Sequence, residues 1–132
     1  MKVLVTGHGG FALGMAQASR MIVGDQELID WLPFEEETNL SDYQAQIAAS
    51  IEAHGAQGLL ILTDFKGGTP FNVSMLLSQG HPQVAVLAGT NLAMIIEAID
   101  QAPTASSVTD LADHLVVIGR QGLLKGVLQA RN

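Results

Sequence analysis

Two short segments of the chain bring together residue types that can carry out chemistry. The first, Thr6-Gly7-His8-Gly9-Gly10, holds a histidine between glycines directly after an apolar run. The second, residues 63–70 (TDFKGGTP), has the same order of apolar run, glycines and helix start, and it adds the carboxylate of Asp64. A neutral imidazole is a nucleophile near neutral pH. A carboxylate bonded to one ring nitrogen would fix the tautomer and leave the other nitrogen free to attack.

The surroundings of this histidine predict an anion-binding environment. Glycine-rich turns leave backbone N–H groups uncovered, and helix N-termini point such groups outward. Thr69 is predicted to cap a helix that starts with Pro70, and another helix is predicted to start near Phe11. An attacking histidine inside an anion cradle indicates phosphoryl transfer through phosphohistidine, with His8 and Asp64 as the catalytic residues. The residues expected to bind the phosphate or shape its site are Gly7, Gly9, Gly10, Lys66, Gly67, Gly68 and Thr69.

An alternation of strands and helices must position these residues. Strands are predicted at 2–5, 28–32 (stopped by Pro33), 58–62 and 84–87, and helices at 11–23, 41–53 (capped by Ser41), 70–78 and 91–99. This alternation is typical of an α/β fold, doubly wound, with a mainly parallel sheet and helices on both faces. Right-handed crossovers predict the strand order 2-1-3-4, which puts the carboxyl ends of strands one and three side by side. We therefore expect His8 and Asp64 to meet at that edge.

The last third of the chain is less clearly patterned. Residues 108–119 fit a helix, although 115–118 alone would fit a strand, and we favour a helix that ends at Gly119 or Gly122. The stretch 122–128 is short and apolar and predicts a final strand. The acidic run 35–37 is interpreted as a solvated loop.

Composition excludes several function classes. The 132 residues fit a single domain, 1–132, and a net charge of −7 with six Lys and Arg argues against nucleic acid or an anionic membrane as partner. The absence of cysteine excludes thiol catalysis and disulfides.

No signal peptide or membrane-spanning run is apparent, so a cytoplasmic location is expected. None of the other histidines has a carboxylate at metal-ligand spacing, and we predict no metal and no cofactor.

Four segments of the chain resemble a known family. GHGGFALG, DFKGGTPFN, AGTNLAMIIEA and GRQG, in this order, are similar to the IIA component of the mannose-family (mannose, fructose, sorbose, N-acetylgalactosamine) bacterial phosphotransferase system. The resemblance implies that His8 accepts a phosphoryl group at Nε2 from the phosphocarrier HPr, while Asp64 holds Nδ1. It implies onward transfer to a IIB component, and through it to the membrane IIC and IID subunits. It also implies a homodimer that exchanges a C-terminal strand, which would suit residues 122–128.

The chain departs from the family pattern at two positions. Gly7 stands where some members have a hydroxyl residue, and Lys66 stands where some have an aromatic residue. The sequence segments TGHGGFA and GGTPF are most similar to those of the branch that serves N-acetylgalactosamine and related amino sugars. Phe11, Leu13 and Phe65 are predicted to supply an apolar docking surface around the histidine.

Two other kinds of site fit the sequence poorly, and two alternative functions stay open. Histidine phosphatases carry an arginine directly before the catalytic histidine, where this chain has Gly7, and no GxGxxG or GxxxxGK[ST] motif indicates a nucleotide site. The phosphoryl-carrier subunit of a dihydroxyacetone kinase remains an alternative, although that pattern lacks the GGTPFN segment present here. A regulatory phosphohistidine module is a further alternative.

Overall fold

The structure is a computed structural model that describes residues 1–129, and its centre is a parallel sheet of four strands. These are β1 (Lys2–His8), β2 (Ile29–Phe34), β3 (Leu59–Thr63) and β4 (Val84–Leu87), arranged in the order β2-β1-β3-β4. The five helices are α1 (Phe11–Val23), α2 (Leu40–His54), α3 (Thr69–Leu77), α4 (Leu92–Gln101) and α5 (Val108–Gln121). The predicted fold class and strand order are confirmed.

Side-chain alternation along the central strands builds a core on each face of the sheet. Val3 and Val5 of β1 pack with α1, α4 and α5, whereas the intervening Leu4 packs with α2 and α3. The five residues of β3 are buried, as expected for a strand covered on both faces. Because β1 and β3 are fixed in this way, the loops that follow them lie on a rigid base.

Strand β2 runs two residues further than predicted. Pro33 was expected to stop it at residue 32, but the strand continues through Pro33 to Phe34. Pro33 lies opposite Gly7 and Phe34 lies opposite His8. Proline is tolerated because β2 is an edge strand, where one side of the backbone has no ladder partner. The extra residues bring Phe34 beside the histidine.

Three helices begin with a side-chain cap. The side chains of Asn39, Asn91 and Ser107 accept hydrogen bonds from backbone N–H groups in the first turns of α2, α4 and α5. Ser41 had been predicted to cap α2, and that prediction was wrong because Asn39 begins the helix two residues earlier and bonds to the N–H of Asp42.

The C-terminal region confirms one prediction and corrects another. Residues 108–121 form a helix, as favoured, whereas residues 122–128 do not form the predicted strand. Leu123, Leu124, Val127 and Leu128 are all highly exposed. A strand needs hydrogen bonds to a neighbouring strand, and within residues 1–129 this segment pairs with none of the four strands of the sheet. Within residues 1–129 no helix has the length and apolar character needed to cross a membrane.

Candidate functional site

The ends of β1 and β3 bring the two predicted reactive side chains together. Thr6 of β1 lies opposite Thr63 of β3, so His8 and Asp64 both lie at the carboxyl ends of the strands. The gap between these two strand ends is the switch point of the fold, because the chain runs outward in opposite directions from β1 and β3.

Asp64 holds His8 through a single carboxylate oxygen. Oδ2 accepts a hydrogen bond from the backbone N–H of His8 at 2.9 Å, and it lies 2.8 Å from Nδ1 of the ring. An acceptor at Nδ1 favours the tautomer that carries its proton there, so Nε2 has a free lone pair. Nε2 forms no hydrogen bond with any residue that the structure describes.

The side chains of Asp64 and His8 differ in their exposure to solvent. The side chain of Asp64 is 14 % exposed and that of His8 is 48 % exposed. The second oxygen of Asp64, Oδ1, is buried and has no hydrogen-bond partner among residues 1–129. Leaving a buried carboxylate oxygen unpaired is costly, and such groups are found where a site needs the charge.

Gly68 lies directly against the accessible edge of the imidazole. A Cβ at this position would lie 2.6 Å from Cε1 of His8 and 3.2 Å from Nε2. Gly7 is crowded in a similar way, because a Cβ there would lie 2.5 Å from Cδ1 of Phe11 and 2.8 Å from Cγ of Asp64. A hydroxyl residue therefore cannot replace Gly7 in this chain without moving Phe11 or Asp64.

Two helices start at the site, and neither has a side-chain cap. Helix α1 begins after Gly10 and α3 after Gly68, and no side chain bonds to the first N–H groups of either helix. Thr69 had been predicted to cap α3, but it is the first residue of the helix, and Gly68 occupies the cap position. Uncapped N–H groups at a helix start attract anions, and these two helix starts contrast with the capped α2, α4 and α5.

The remaining predicted site residues lie in the loops between these elements. Gly9 and Gly67 have φ values of 54° and 83°, which favour glycine. Gly10 has open space where a Cβ would stand. Lys66 is exposed and forms no ion pair with any described residue.

Of the predicted apolar surface, Phe65 and Leu13 are exposed, at 67 % and 53 %. Phe11 is half-buried. Phe65 and Leu13 are therefore the more accessible of the three side chains, and their docking role stays a prediction.

Sequence reasoning missed the aromatic and acidic neighbours of His8. A surface hollow of about 400 Å³ is lined by His8, Gly9, Phe34, Glu35 and Glu36. The ring of Phe34 lies nearly perpendicular to that of His8. The only signal in the sequence was the position of these residues directly after a strand, and the expected stop at Pro33 concealed it.

Behind this hollow, Tyr43 carries a strongly shifted pKa. Burial raises the pKa of the phenol to about 12, opposed by its hydrogen bond with Thr6 and assisted by the negative charge of Asp64. The Tyr43 hydroxyl and Thr6 Oγ1 are 2.6 Å apart in the core. The carboxylate thus acts electrostatically on the buried phenol in addition to its contact with the histidine.

Comparisons with known proteins show the family and the fold to which the chain is similar. Residues 2–116 match the EIIA-man family model, described as the PTS system fructose IIA component. A mannose/sorbose-specific IIA subunit from Enterococcus faecalis superimposes with a TM-score of 0.87 at 35% identity, covering 99% of this chain and 98% of that one. A sorbose-specific EIIA component from Lacticaseibacillus casei is 30% identical over 118 residues, which are 89% of this chain and 85% of that protein.

A longer relative also aligns with most of the chain. The mannose-specific EIIAB component of Escherichia coli is 29% identical over 125 residues, which are 92% of this chain but only 38% of that protein. The chain thus spans well under half the length of this relative. With a family match over nearly the whole chain and the fold of solved IIA subunits, the chain belongs to the EIIA-man family of sugar phosphotransferase-system IIA components.

Proposed function

We propose that this chain is a phosphocarrier in which His8 accepts a phosphoryl group from phospho-HPr and passes it to a IIB component. The observation that carries the proposal is the 2.8 Å contact between Nδ1 of His8 and Oδ2 of Asp64, combined with the half-exposed imidazole. The pair provides a neutral nucleophile with one nitrogen held and the other free. Its location at the switch point of a doubly wound sheet is where such folds bind their substrates.

In the proposed reaction, the lone pair on Nε2 of His8 attacks the phosphorus of the donor. A new N–P bond forms as the bond to the donor histidine breaks, and the donor imidazole keeps the electron pair. The His8 ring, which keeps its proton on Nδ1, gains positive charge, and the carboxylate of Asp64 compensates that charge. Because the leaving group is itself an imidazole, the protein contributes positioning and charge stabilisation rather than acid–base chemistry.

The two uncapped helix starts would hold the phosphoryl oxygens. Helix α1 begins three residues after His8, and Gly68, which precedes α3, lies against the His8 imidazole. Gly67 and Gly68 allow the backbone to approach, and Thr69 and Lys66 would add a hydroxyl and a positive charge. Gly7, Gly9 and Gly10 keep the histidine loop compact. No metal or other cofactor takes part in this scheme.

The proposed reaction also indicates the binding partners of the chain. Phospho-HPr is the proposed donor and a IIB component the acceptor, and IIB would pass the group to a sugar entering through the IIC and IID subunits. The chain would therefore work in the cytoplasm. The relatives carry the names of mannose and sorbose systems, and the predicted amino-sugar branch stays a prediction.

We also propose that the chain forms a homodimer by exchange of residues 122–128. The four large apolar side chains of this segment are exposed, and β4 is an open sheet edge. A groove of about 540 Å³ runs beside β4, lined in part by Val86, Leu87 and Leu123. A strand from a second copy would pair with the open edge and cover the apolar groove.

Onward transfer is the most specific test of this function. The wild type is labelled from radioactive phosphoenolpyruvate through enzyme I and HPr, purified, and mixed with the IIB protein encoded with it. We expect the label to move to IIB within the mixing time, and we expect no labelling of His8→Ala. Label that enters the chain but never reaches any IIB would favour the regulatory module, and transfer only to a dihydroxyacetone kinase would favour that alternative.

A further inference from the structure

Phe34 makes an aromatic contact with the imidazole of His8. The centroids of the two rings are 6.0 Å apart and their planes meet at 78°. Perpendicular arrangements of this kind are attractive, because the positive edge of one ring meets the negative face of the other. The hydrogen bonds of the site do not involve the Phe34 side chain, so this contact is a separate restraint on the histidine.

The backbone ties Phe34 to the segment that carries the histidine. Phe34 is the register partner of His8 in the parallel pairing of β1 and β2. The N–H of Gly9 also donates to the carbonyl oxygen of Phe34 at 2.8 Å. The backbones that carry the two rings therefore belong to one hydrogen-bonded frame.

The core supports Phe34 through a second ring. Tyr43 is fully buried, and its ring centroid lies 4.6 Å from that of Phe34 at an interplanar angle of 51°. Tyr43 is itself anchored by its hydroxyl, which lies 2.6 Å from Oγ1 of Thr6. The contact with His8 thus rests on a row of packed rings that begins in the hydrophobic core.

Asp64 alone leaves one rotation of the imidazole free. The bond from Nδ1 to Oδ2 fixes one atom of the ring, but the ring can still tilt about that bond. We infer that Phe34 is a positioning residue that fixes the plane of the His8 imidazole and so directs the Nε2 lone pair. The inference rests on the proposed phosphoryl transfer, since in-line attack requires that lone pair to point at the phosphorus.

Two substitutions distinguish the effect of the aromatic ring from that of an apolar side chain as such. Phe34→Leu keeps an apolar side chain but removes the aromatic ring, whereas Phe34→Tyr keeps the ring. For phosphoryl uptake from phospho-HPr, we expect Phe34→Leu to lower kcat about tenfold with little change in KM. Phe34→Tyr should stay within about twofold of the wild type. Phe34→Met, which fills the space flexibly, is the second variant if Phe34→Leu folds poorly.

A readout without phosphorylation separates this inference from the proposed function. In the unphosphorylated protein, NMR side-chain couplings and relaxation of His8 report whether its ring holds one orientation. We expect one orientation in the wild type and Phe34→Tyr, and averaging in Phe34→Leu. An ordered ring with unchanged kcat in Phe34→Leu, or a change in KM alone, overturns the positioning role. Absence of phosphoryl uptake by the wild type would refute the carrier function instead, while the NMR result would still decide the role of Phe34.

Discussion

At the scale of single residues, the site depends on how Asp64 uses its carboxylate. One oxygen holds both the backbone and the ring of His8, and the other is buried without a partner in the described part of the chain. The geometry defines the tautomer and the position of the ring together. We therefore expect the charge of Asp64 to matter more for the proposed transfer than its volume.

Replacing Asp64 by asparagine removes the charge and keeps the shape. The amide can still accept a bond from Nδ1, but it no longer compensates the positive ring formed in the reaction. We expect Asp64→Asn to lower the rate of phosphoryl uptake about a hundredfold. Rapid-quench measurement with phospho-HPr gives this rate. Asp113→Asn, at an exposed position of α5, is the matched control and should have the wild-type rate. A similar rate for both variants would contradict the role of Asp64.

Gly68 provides a steric test of the same site. Its φ of −75° suits any residue, so alanine adds no backbone strain, only a Cβ at 2.6 Å from Cε1 of His8. We expect Gly68→Ala to displace the imidazole and lower uptake about tenfold or more.

Gly14→Ala is the control for that substitution. Position 14 lies inside α1 with nothing near the added Cβ. Alanine there should raise the free energy of unfolding by about 0.5–1 kcal/mol and leave uptake unchanged. Equal uptake rates for the two alanine variants would show that Gly68 does not limit the ring.

Sequence reasoning placed His8 and Asp64 together because strand order follows from general rules of chain connection. It did not find Phe34, since a proline usually ends a strand and the exception depends on β2 being at the sheet edge. Contacts between side chains of neighbouring strands, such as that of Phe34 with His8, are a property of register and cannot be read from spacing alone.

At the scale of elements, the cap of α4 also links that helix to α5. Asn91 has two roles, because its Oδ1 accepts from the N–H of Met94 and its Nδ2 donates to the carbonyl oxygen of Gly119 in α5. A helix over residues 91–99 was predicted from sequence, whereas the link to α5 was not, because it requires the packing of two helices.

Substitution of Asn91 should therefore cost more stability than loss of a simple cap. Asn39→Ala removes only the cap of α2 and should lower the free energy of unfolding by about 1 kcal/mol. Asn91→Ala should cost roughly 0.5–1.5 kcal/mol more, because the bond to Gly119 is also lost. Urea unfolding measures both values. Equal losses would indicate that the bond to α5 contributes nothing.

The buried Tyr43 gives a prediction for high pH. It is the only tyrosine of the chain, so tyrosinate absorbance reports on it alone. Its pKa is raised from 10.0 to about 12 in the folded protein, so the neutral phenol is favoured on folding. That stabilisation is complete below pH 10.0 and is lost as the pH rises through about 12. Absorbance titration should give the higher value in the folded protein and the lower value in urea, and equal midpoints would contradict the burial of the phenol.

At the scale of the whole molecule, residues 122–128 and the open edge of β4 remain to be accounted for. The predicted strand is absent from the single chain, and exchange between two copies would restore it. We expect the protein to sediment as a dimer. Leu124→Glu with Val127→Glu should make it a monomer, because the segment would then bring two carboxylates against a groove lined largely by apolar side chains.

Met21→Glu is the control for this double variant. Met21 is 86 % exposed on α1, so its substitution changes the charge of the surface without touching the proposed interface. It should leave the dimer intact. A wild type that is monomeric at every concentration would refute the exchange.

The central claim concerns phosphoryl transfer to one histidine, His8. The most direct test is intact-mass analysis after incubation with phosphoenolpyruvate, enzyme I and HPr, with His8→Ala and the exposed His81→Ala in parallel. We predict the mass of a single acid-labile phosphoryl group on the wild type and on His81→Ala, and none on His8→Ala. A folded wild type that gains no mass, or a His8→Ala variant that gains it, would contradict the account.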